Sequence, residues 1–391
     1  MKKSKIKAFL LLSLAISFTL LTGCGARPSE PTASQPSETA ESVAVSSSHE
    51  LVEAADLAGN MVQVPSPENL NKIVITSFKG AYGSAVLLGQ IDKVTGMADN
   101  SKFIWLRHAF PQAVEVKNYG SFDDVNLEEL LQDKPDVIIS PSASATAYGK
   151  MKEVGLPVMI DGIDVEDSGD VFIQSYDEID LIARLTGTTD KAKKYHEWAD
   201  ELFDFVAERV EDIPEEDRVK VLPIRSDITQ VFGNNCIWGY VVEMAGGISL
   251  SGNATADTGK FFADVDAEQL TKWNPDMMFQ INFNGEFTDE VAEIYHNWAK
   301  DPQYAGMSAL ESGDVYLVPK GIDYWNAAIE APLCVLWMAK IMYPDRFEDV
   351  DVKAYAQDFY MEYLGYDLNE EDWALIAPQF NGAKDNGLSS S

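Results

Sequence analysis

From Leu51 onward the chain alternates short apolar runs with segments whose apolar residues recur at helical spacing. Extended runs read at residues 72–77 (KIVITS), 93–97, 136–140 and 157–161, and helical stretches sit between them, including 81–89 and 127–133. Strands alternating with helices predict a mainly parallel sheet. Residues 190–210 carry the longest helical pattern, in which Ala192, Tyr195, Ala199, Leu202 and Val206 form one apolar stripe. Gly187 precedes this segment and Pro214 stops it. At 1.5 Å per residue it makes a rod of roughly 31 Å. The strand–helix alternation then restarts at 219–225 (VKVLPIR), with a helix near 240–245 and strands at 276–281 and 314–319. From Asp351 the pattern is helical again, with Tyr355, Phe359 and Tyr363 on one face.

Residues 125–140 (VNLEELLQDKPDVIIS) and 265–280 (VDAEQLTKWNPDMMFQ) align without a gap. A constant shift of 140 residues relates Glu128 to Glu268, Leu130 to Leu270, and Pro135-Asp136 to Pro275-Asp276. Each copy reads as a helix opening with an acid, a Pro-Asp stop and an apolar strand. A repeat this long is not a solenoid period and predicts two similar α/β lobes with a cleft between them, where a small molecule binds. The long rod lies between the two copies and is read as the lobe connector.

The N-terminus has a basic head (Lys2, Lys3, Lys5, Lys7), an apolar stretch from Ala8 to Leu21, and Leu21-Thr22-Gly23-Cys24. This is the layout of a secretory signal, and the stretch is short for a membrane span of about 20 residues. Its end resembles a bacterial lipoprotein lipobox, which implies cleavage before Cys24 and lipid on that residue. Residues 25–50 are rich in Ser, Pro, Thr, Ala and Glu and bury too little to order. As a coil this tether reaches roughly 28 Å. The expected organisation is a signal peptide (1–23), lipidated Cys24 and tether (24–50), an N-terminal lobe (51–188), a connecting helix (189–213) and a C-terminal lobe with C-terminal helices (214–391).

The formal net charge is −33, and loss of the four signal lysines makes it −37. Nucleic acid is excluded as a partner, because phosphate neutralisation needs clustered Lys and Arg. Cys236 and Cys334 are either one disulfide or two buried thiols, and the scattered pair leans to thiols. His108, His196 and His296 are widely spaced and His49 lies in the tether, so no tight metal-ligand spacing is present. The chain has no Gly-x-Ser-x-Gly elbow, His-Glu-x-x-His helix or Walker loop. Catalysis is therefore not expected.

The chain resembles the substrate-binding lipoproteins of ABC importers that handle ferric siderophores, haem and cobalamin. The resemblance rests on the lipobox at Cys24, Asp56-Leu57-Ala58-Gly59-Asn60 before Val64-Pro65, Asn126-Leu127-Glu128 with Lys134-Pro135-Asp136, Met244-Ala245-Gly246-Gly247, Asn274-Pro275-Asp276, and Gly313-Asp314-Val315-Tyr316. It implies two Rossmann-like lobes joined by one long helix, with a ligand cleft between them. It also implies that Glu128 and Glu268, at the tips of the lobes, dock onto arginines of a permease dimer served by a cytoplasmic ATPase. The plainer reading of both acids is a helix first turn, where the macrodipole favours a negative charge. Implied too are an extracytoplasmic, lipid-anchored monomer and no resident cofactor, the cargo being an iron or cobalt chelate. Alternative readings are a surface adhesin or sensor on the same scaffold, or a binder of a small oxyanion such as molybdate.

Ligands of open α/β sheets sit beyond the carboxyl ends of the strands. The loops there, at 78–82, 99–107, 141–148, 226–238, 282–287 and 320–326, are rich in aromatic residues. Phe78, Tyr82, Trp105, Tyr148, Trp238, Phe283, Tyr324 and Trp325 are the candidate ligand contacts, because flat rings suit a conjugated or chelated ligand. Tyr324-Trp325 is favoured, as adjacent bulky rings in a polar loop are hard to bury together. Arg225, at a strand end, is the candidate for forking onto a carboxylate or anionic chelate; its alternative is an ion pair with Asp227.

Overall fold

The computed structural model describes residues 50–77, 80–99, 109–110, 115–141, 146–162, 173–255, 262–281, 289–322, 325 and 328–376. Strands β1 (Leu51–Ala55) and β2 (Met61–Pro65) form an antiparallel hairpin. Its turn uses the DLAGN motif: one Asp56 carboxylate oxygen accepts the Asn60 N–H at 2.7 Å, and Gly59 takes a positive φ of 79°. The other Asp56 oxygen accepts the Ile160 N–H at 3.1 Å, which pins the hairpin to the edge of the first sheet.

That sheet contains β3 (Ile73–Ile75), β4 (Val94–Met97), β5 (Lys117–Asn118), β6 (Val137–Ser140) and β7 (Val158–Ile160). It is parallel throughout, in the order β5-β4-β3-β6-β7. The second sheet is mixed. Its strands are β8 (Lys220–Ile224), β9 (Gln230–Phe232), β10 (Ile248–Ser249), β11 (Phe262–Asp264), β12 (Met277–Gln280) and β13 (Val315–Leu317), in the order β11-β9-β8-β12-β13, with β10 also on β8. β8, β12, β13 and β10 pair in parallel as β3, β6, β7 and β4 do, while β9 and β11 add an antiparallel edge. The two expected α/β lobes are present, and the strands read from the sequence agree to within a residue or two at each end.

The repeat folds in the same way in both lobes. Helices Leu127–Asp133 and Ala267–Trp273 keep the 140-residue shift, as do β6 and β12. Asn126 and Asp266 cap the helices by accepting the N–H of Glu129 and Gln269. Lys134 and Asn274 end them in the left-handed region, at φ 50° and 44°. A proline follows each and prevents the helix from continuing. The next residue anchors the sheet: Asp136 accepts the N–H groups of Asn71 and Lys72, and Asp276 that of Lys220.

Thr189–Val210 is the long helix expected as connector. Its buried face is Ala192, Tyr195, Ala199, Leu202, Val206 and Val210, five of which formed the stripe read from the sequence. One hydrophobic core runs from Ile73 and Leu87 in the first lobe, through this stripe, to Trp337 and Phe359 in the second. Helix Ala331–Met342 is buried on nearly every side because it packs between the connector and the second sheet. The helix Val352–Phe359 returns to the N-terminal half of the connector, where Trp198 stacks on Phe359 at 4.8 Å. Phe110 of the first lobe lies 6.0 Å from Tyr366. Cys236 and Cys334 are free thiols within this core, and burial pushes Cys236 up to about 12. Among the described residues no helix is long and apolar enough to cross a membrane.

Because apolar packing joins the lobes over the whole connector, wide hinge closure would expose core surface. Scattering curves with and without saturating ligand should therefore superimpose; a large ligand-induced compaction contradicts this reading. At the far end of the connector the Arg209 guanidinium forks onto Asp349 at 2.6 and 2.8 Å, holding that carboxyl down at about 2. A depressed carboxyl stabilises the fold above its unfolded value of about 3.9 and loses that contribution as the pH falls through its folded value. Wild type and Asp349→Asn should differ in Tm at neutral pH and converge between about pH 4 and pH 2. A gap that persists at the acid end contradicts the assignment.

Candidate functional site

Crossover helices run antiparallel to the strands they connect, so the first turn of each repeat helix lies at the carboxyl side of its sheet. Glu128 and Glu268 occupy those first turns and are exposed. Neither makes an ion pair or side-chain hydrogen bond among the described residues. The surroundings of Glu128 sharpen the point. Lys117 lies 2.9 Å from Glu129 and 2.6 Å from Asp133, and the Tyr119 hydroxyl donates to Asp133 at 2.7 Å. These contacts hold the Asp133 carboxyl below its ordinary range. Of the three acids on that helix, Glu128 alone faces outward without a partner among the described residues. Helix Ala267–Trp273 carries one acid in its first turn, Glu268.

The inner ends of the strands differ between the lobes. Ile75 pairs with Ile139 and Pro223 with Phe279, so the repeat matches Ser77, just beyond β3, with Arg225, just beyond β8. Ser140 is matched by Gln280. On the next ladder Ser140 pairs with Ile160 and Gln280 with Leu317, which matches Asp161 with Val318. The first lobe therefore places two hydroxyls and a carboxylate where the second places a guanidinium, an amide and an apolar side chain. Ser77, Ser140, Asp161 and Gln280 are at most 2% exposed, forming the floor of the carboxyl edges. The Gln280 amide donates to the Ser226 carbonyl at 2.9 Å and its oxygen accepts the Tyr295 hydroxyl, so its orientation is fixed. The half-buried Arg225 guanidinium lies 4.5 Å from the Phe262 ring centroid, within range of cation–π attraction. The two lobes touch beyond these strands: Gly83, in the helix Ala81–Leu87 after β3, faces Ile322 and Ile329 beyond β13.

The aromatic candidates separate. Phe78, Trp105, Phe283 and Tyr324 lie outside the described residues, as do Cys24 and the signal segment. Trp238 is half-buried, edge-on to Phe232 at 5.4 Å, in the first turn of helix Ile237–Met244. Tyr148 belongs to helix Thr146–Glu153 and its hydroxyl accepts a bond from Lys152 at 2.9 Å. Tyr82 is 2% exposed in the first-lobe core, and desolvation pushes its phenol above the usual range. Trp325 departs from expectation. Its ring is fully buried, 6.0 Å from that of Trp373, because the C-terminal helix Glu370–Ile376 packs over this segment. Sequence reading missed Ser77, Asp161 and Gln280. Applying the 140-residue shift to Ser140 would have found Gln280, whereas the other two depend on strand ends that only the ladders define.

Among the described residues no group of three or more His, Cys, Asp and Glu is arranged to hold a metal ion.

Residues 74–321 match the periplasmic binding protein family, more than half of the chain. The molybdate-binding protein MolA of Haemophilus influenzae is 25% identical over 321 residues, covering 77% of this chain and 88% of that protein. The Fe(3+)-citrate-binding protein YfmC of Bacillus subtilis is 25% identical over 234 residues, covering 59% of this chain and 68% of that protein. The crystal structure of a periplasmic solute binding protein from Veillonella parvula superimposes with a TM-score of 0.70 at 22% identity, covering 84% of this chain and 97% of that one. It shares the two-lobed fold described above. The chain belongs to the periplasmic binding protein family, a family of solute-binding proteins rather than enzymes.

Proposed function

We propose that this protein captures an anionic metal chelate, an iron complex of the siderophore or ferric carboxylate kind, and delivers it to an ABC permease dimer. The observation that carries the reading is Arg225. In a chain with 63 acids and 30 bases, a guanidinium stands just beyond β8, where the matching first-lobe positions carry buried hydroxyls. Its planar fork suits the carboxylate or catecholate oxygens that surround a chelated metal. The similarity to a ferric citrate binder supports the same class.

Molybdate is the second reading, favoured by the relative that covers more of the chain. Arg225 and the hydroxyls would then close on one tetrahedral oxyanion. Docking through Glu128 and Glu268 is supported by their outward placement at matching positions of the two lobes, which suits a two-fold symmetric partner. Such rim charges mainly steer encounter and register. A lipid on Cys24 and the tether of residues 25–50 would keep the receptor at the membrane.

Intrinsic tryptophan fluorescence should be titrated with ferric citrate, a ferric catecholate, haemin, cobalamin and molybdate. Saturable quenching by an iron chelate supports the first reading and a response to molybdate alone the second; silence across the panel counts against both and favours an adhesin or sensor. Arg225→Ala should weaken the responding compound by about 1.5–3 kcal/mol. Glu128→Arg combined with Glu268→Arg should abolish uptake in cells while leaving affinity intact. A loss of affinity would put these acids at the ligand.

A further inference from the structure

We infer that Glu330 is a positioning residue that locks the segment beyond β13 against the first lobe. The inference builds on the reading of the carboxyl edges as the ligand site, since this segment leads from β13 into the loop at 320–326.

Glu330 is fully buried at the start of helix Ala331–Met342. One oxygen of its carboxylate accepts both the Ile322 N–H, at 2.7 Å, and the Tyr360 hydroxyl. A charge so buried is costly unless its acceptors are used, and a carboxylate, which only accepts, suits two converging donors. Burial holds the Tyr360 phenol well above its ordinary range, so it stays protonated and donates. Gly321 completes the arrangement. A β-carbon there would lie 1.9 Å from the Glu330 oxygen and 2.1 Å from the Tyr360 hydroxyl, so any side chain would eject one of them.

The segment is tied on every other side. Val318 donates to the Gln280 carbonyl, Lys320 to that of Ile376 and Trp325 to that of Pro319. The Tyr195 hydroxyl of the connector donates to the Ile329 carbonyl at 2.9 Å. Ile322 and Ile329, at either end of the segment, then meet the first lobe at Gly83, where an added β-carbon would find them at 3.6 and 3.7 Å. Glu330 thus fixes the base of a second-lobe ligand loop and, through the two isoleucines, its register on the helix that follows β3. Tyr360 begins the π turn Tyr360–Leu364, a geometry that recurs at functional positions.

The test is hydrogen–deuterium exchange on the full chain, comparing wild type with Glu330→Gln, Tyr360→Phe and Gly321→Ala. The lock predicts at least tenfold faster exchange both at 318–325 and in the first-lobe helix Ala81–Leu87, with residues 199–206 of the connector unchanged. Faster exchange at 318–325 alone, or a uniform rise through the whole chain, overturns it. Tyr360→Phe keeps the carboxylate and one donor, and serves if Glu330→Gln does not fold. With whichever of ferric citrate and molybdate binds wild type, the Glu330→Gln and Tyr360→Phe proteins should release it about tenfold faster; unchanged release would overturn the positioning role. The exchange measurement needs no ligand, so it tests the lock even if neither compound binds.

Discussion

Everything in this molecule hangs on the buried stripe of one helix. Ala192, Tyr195, Ala199, Leu202, Val206 and Val210 face protein along the whole of Thr189–Val210, and the cores of both lobes close around them. Small residues at 192 and 199 let neighbouring elements approach, while Tyr195 uses its hydroxyl on the Ile329 carbonyl. A connector made of extended strands could bend at a few dihedrals. A helix packed on both lobes bends only by giving up apolar burial, at about 25 cal/mol for each Å² exposed. Wide rearrangement of the lobes would therefore cost apolar burial.

The internal repeat makes that economy visible. A single supersecondary unit, capped by Asn126 or Asp266 and stopped by Pro135 or Pro275, was placed twice. On its outer side it keeps the same exposed acid, Glu128 or Glu268. On its inner side it diverged, with Gln280 at the position matching Ser140 and Arg225 at the position matching Ser77. Symmetry is retained at the exposed helix starts and lost at the buried strand ends. On that buried floor the Gln280 amide is fixed by Ser226 and Tyr295, so it specifies position at little reorganisation cost.

Much of this was legible in the chain. The connector stripe, the paired repeat and its capped helices follow from local periodicity and turn chemistry, which act over a few residues. The aromatic loops were less tractable. Trp325 stands among Asp323, Tyr324 and Asn326, a neighbourhood that reads as solvent-facing, yet Trp373 from the C-terminal helix covers it. Tyr82 and Tyr148 likewise sit in helices whose buried faces are set by elements far along the chain. Burial of a ring is decided by what packs over it, and the covering element is separated from it by tens of residues or more.

The sequence alone determined the two lobes, the helix between them and the position of the matching acids, because each rests on short-range pattern. Only the tertiary structure decided that Cys236 and Cys334 are separate thiols, that Ser77, Asp161 and Arg225 share the carboxyl edges, and that Glu330 lies beneath the loop beyond β13. Those facts depend on strand register and on contacts between distant segments, and neither leaves a periodic trace in the order of the residues.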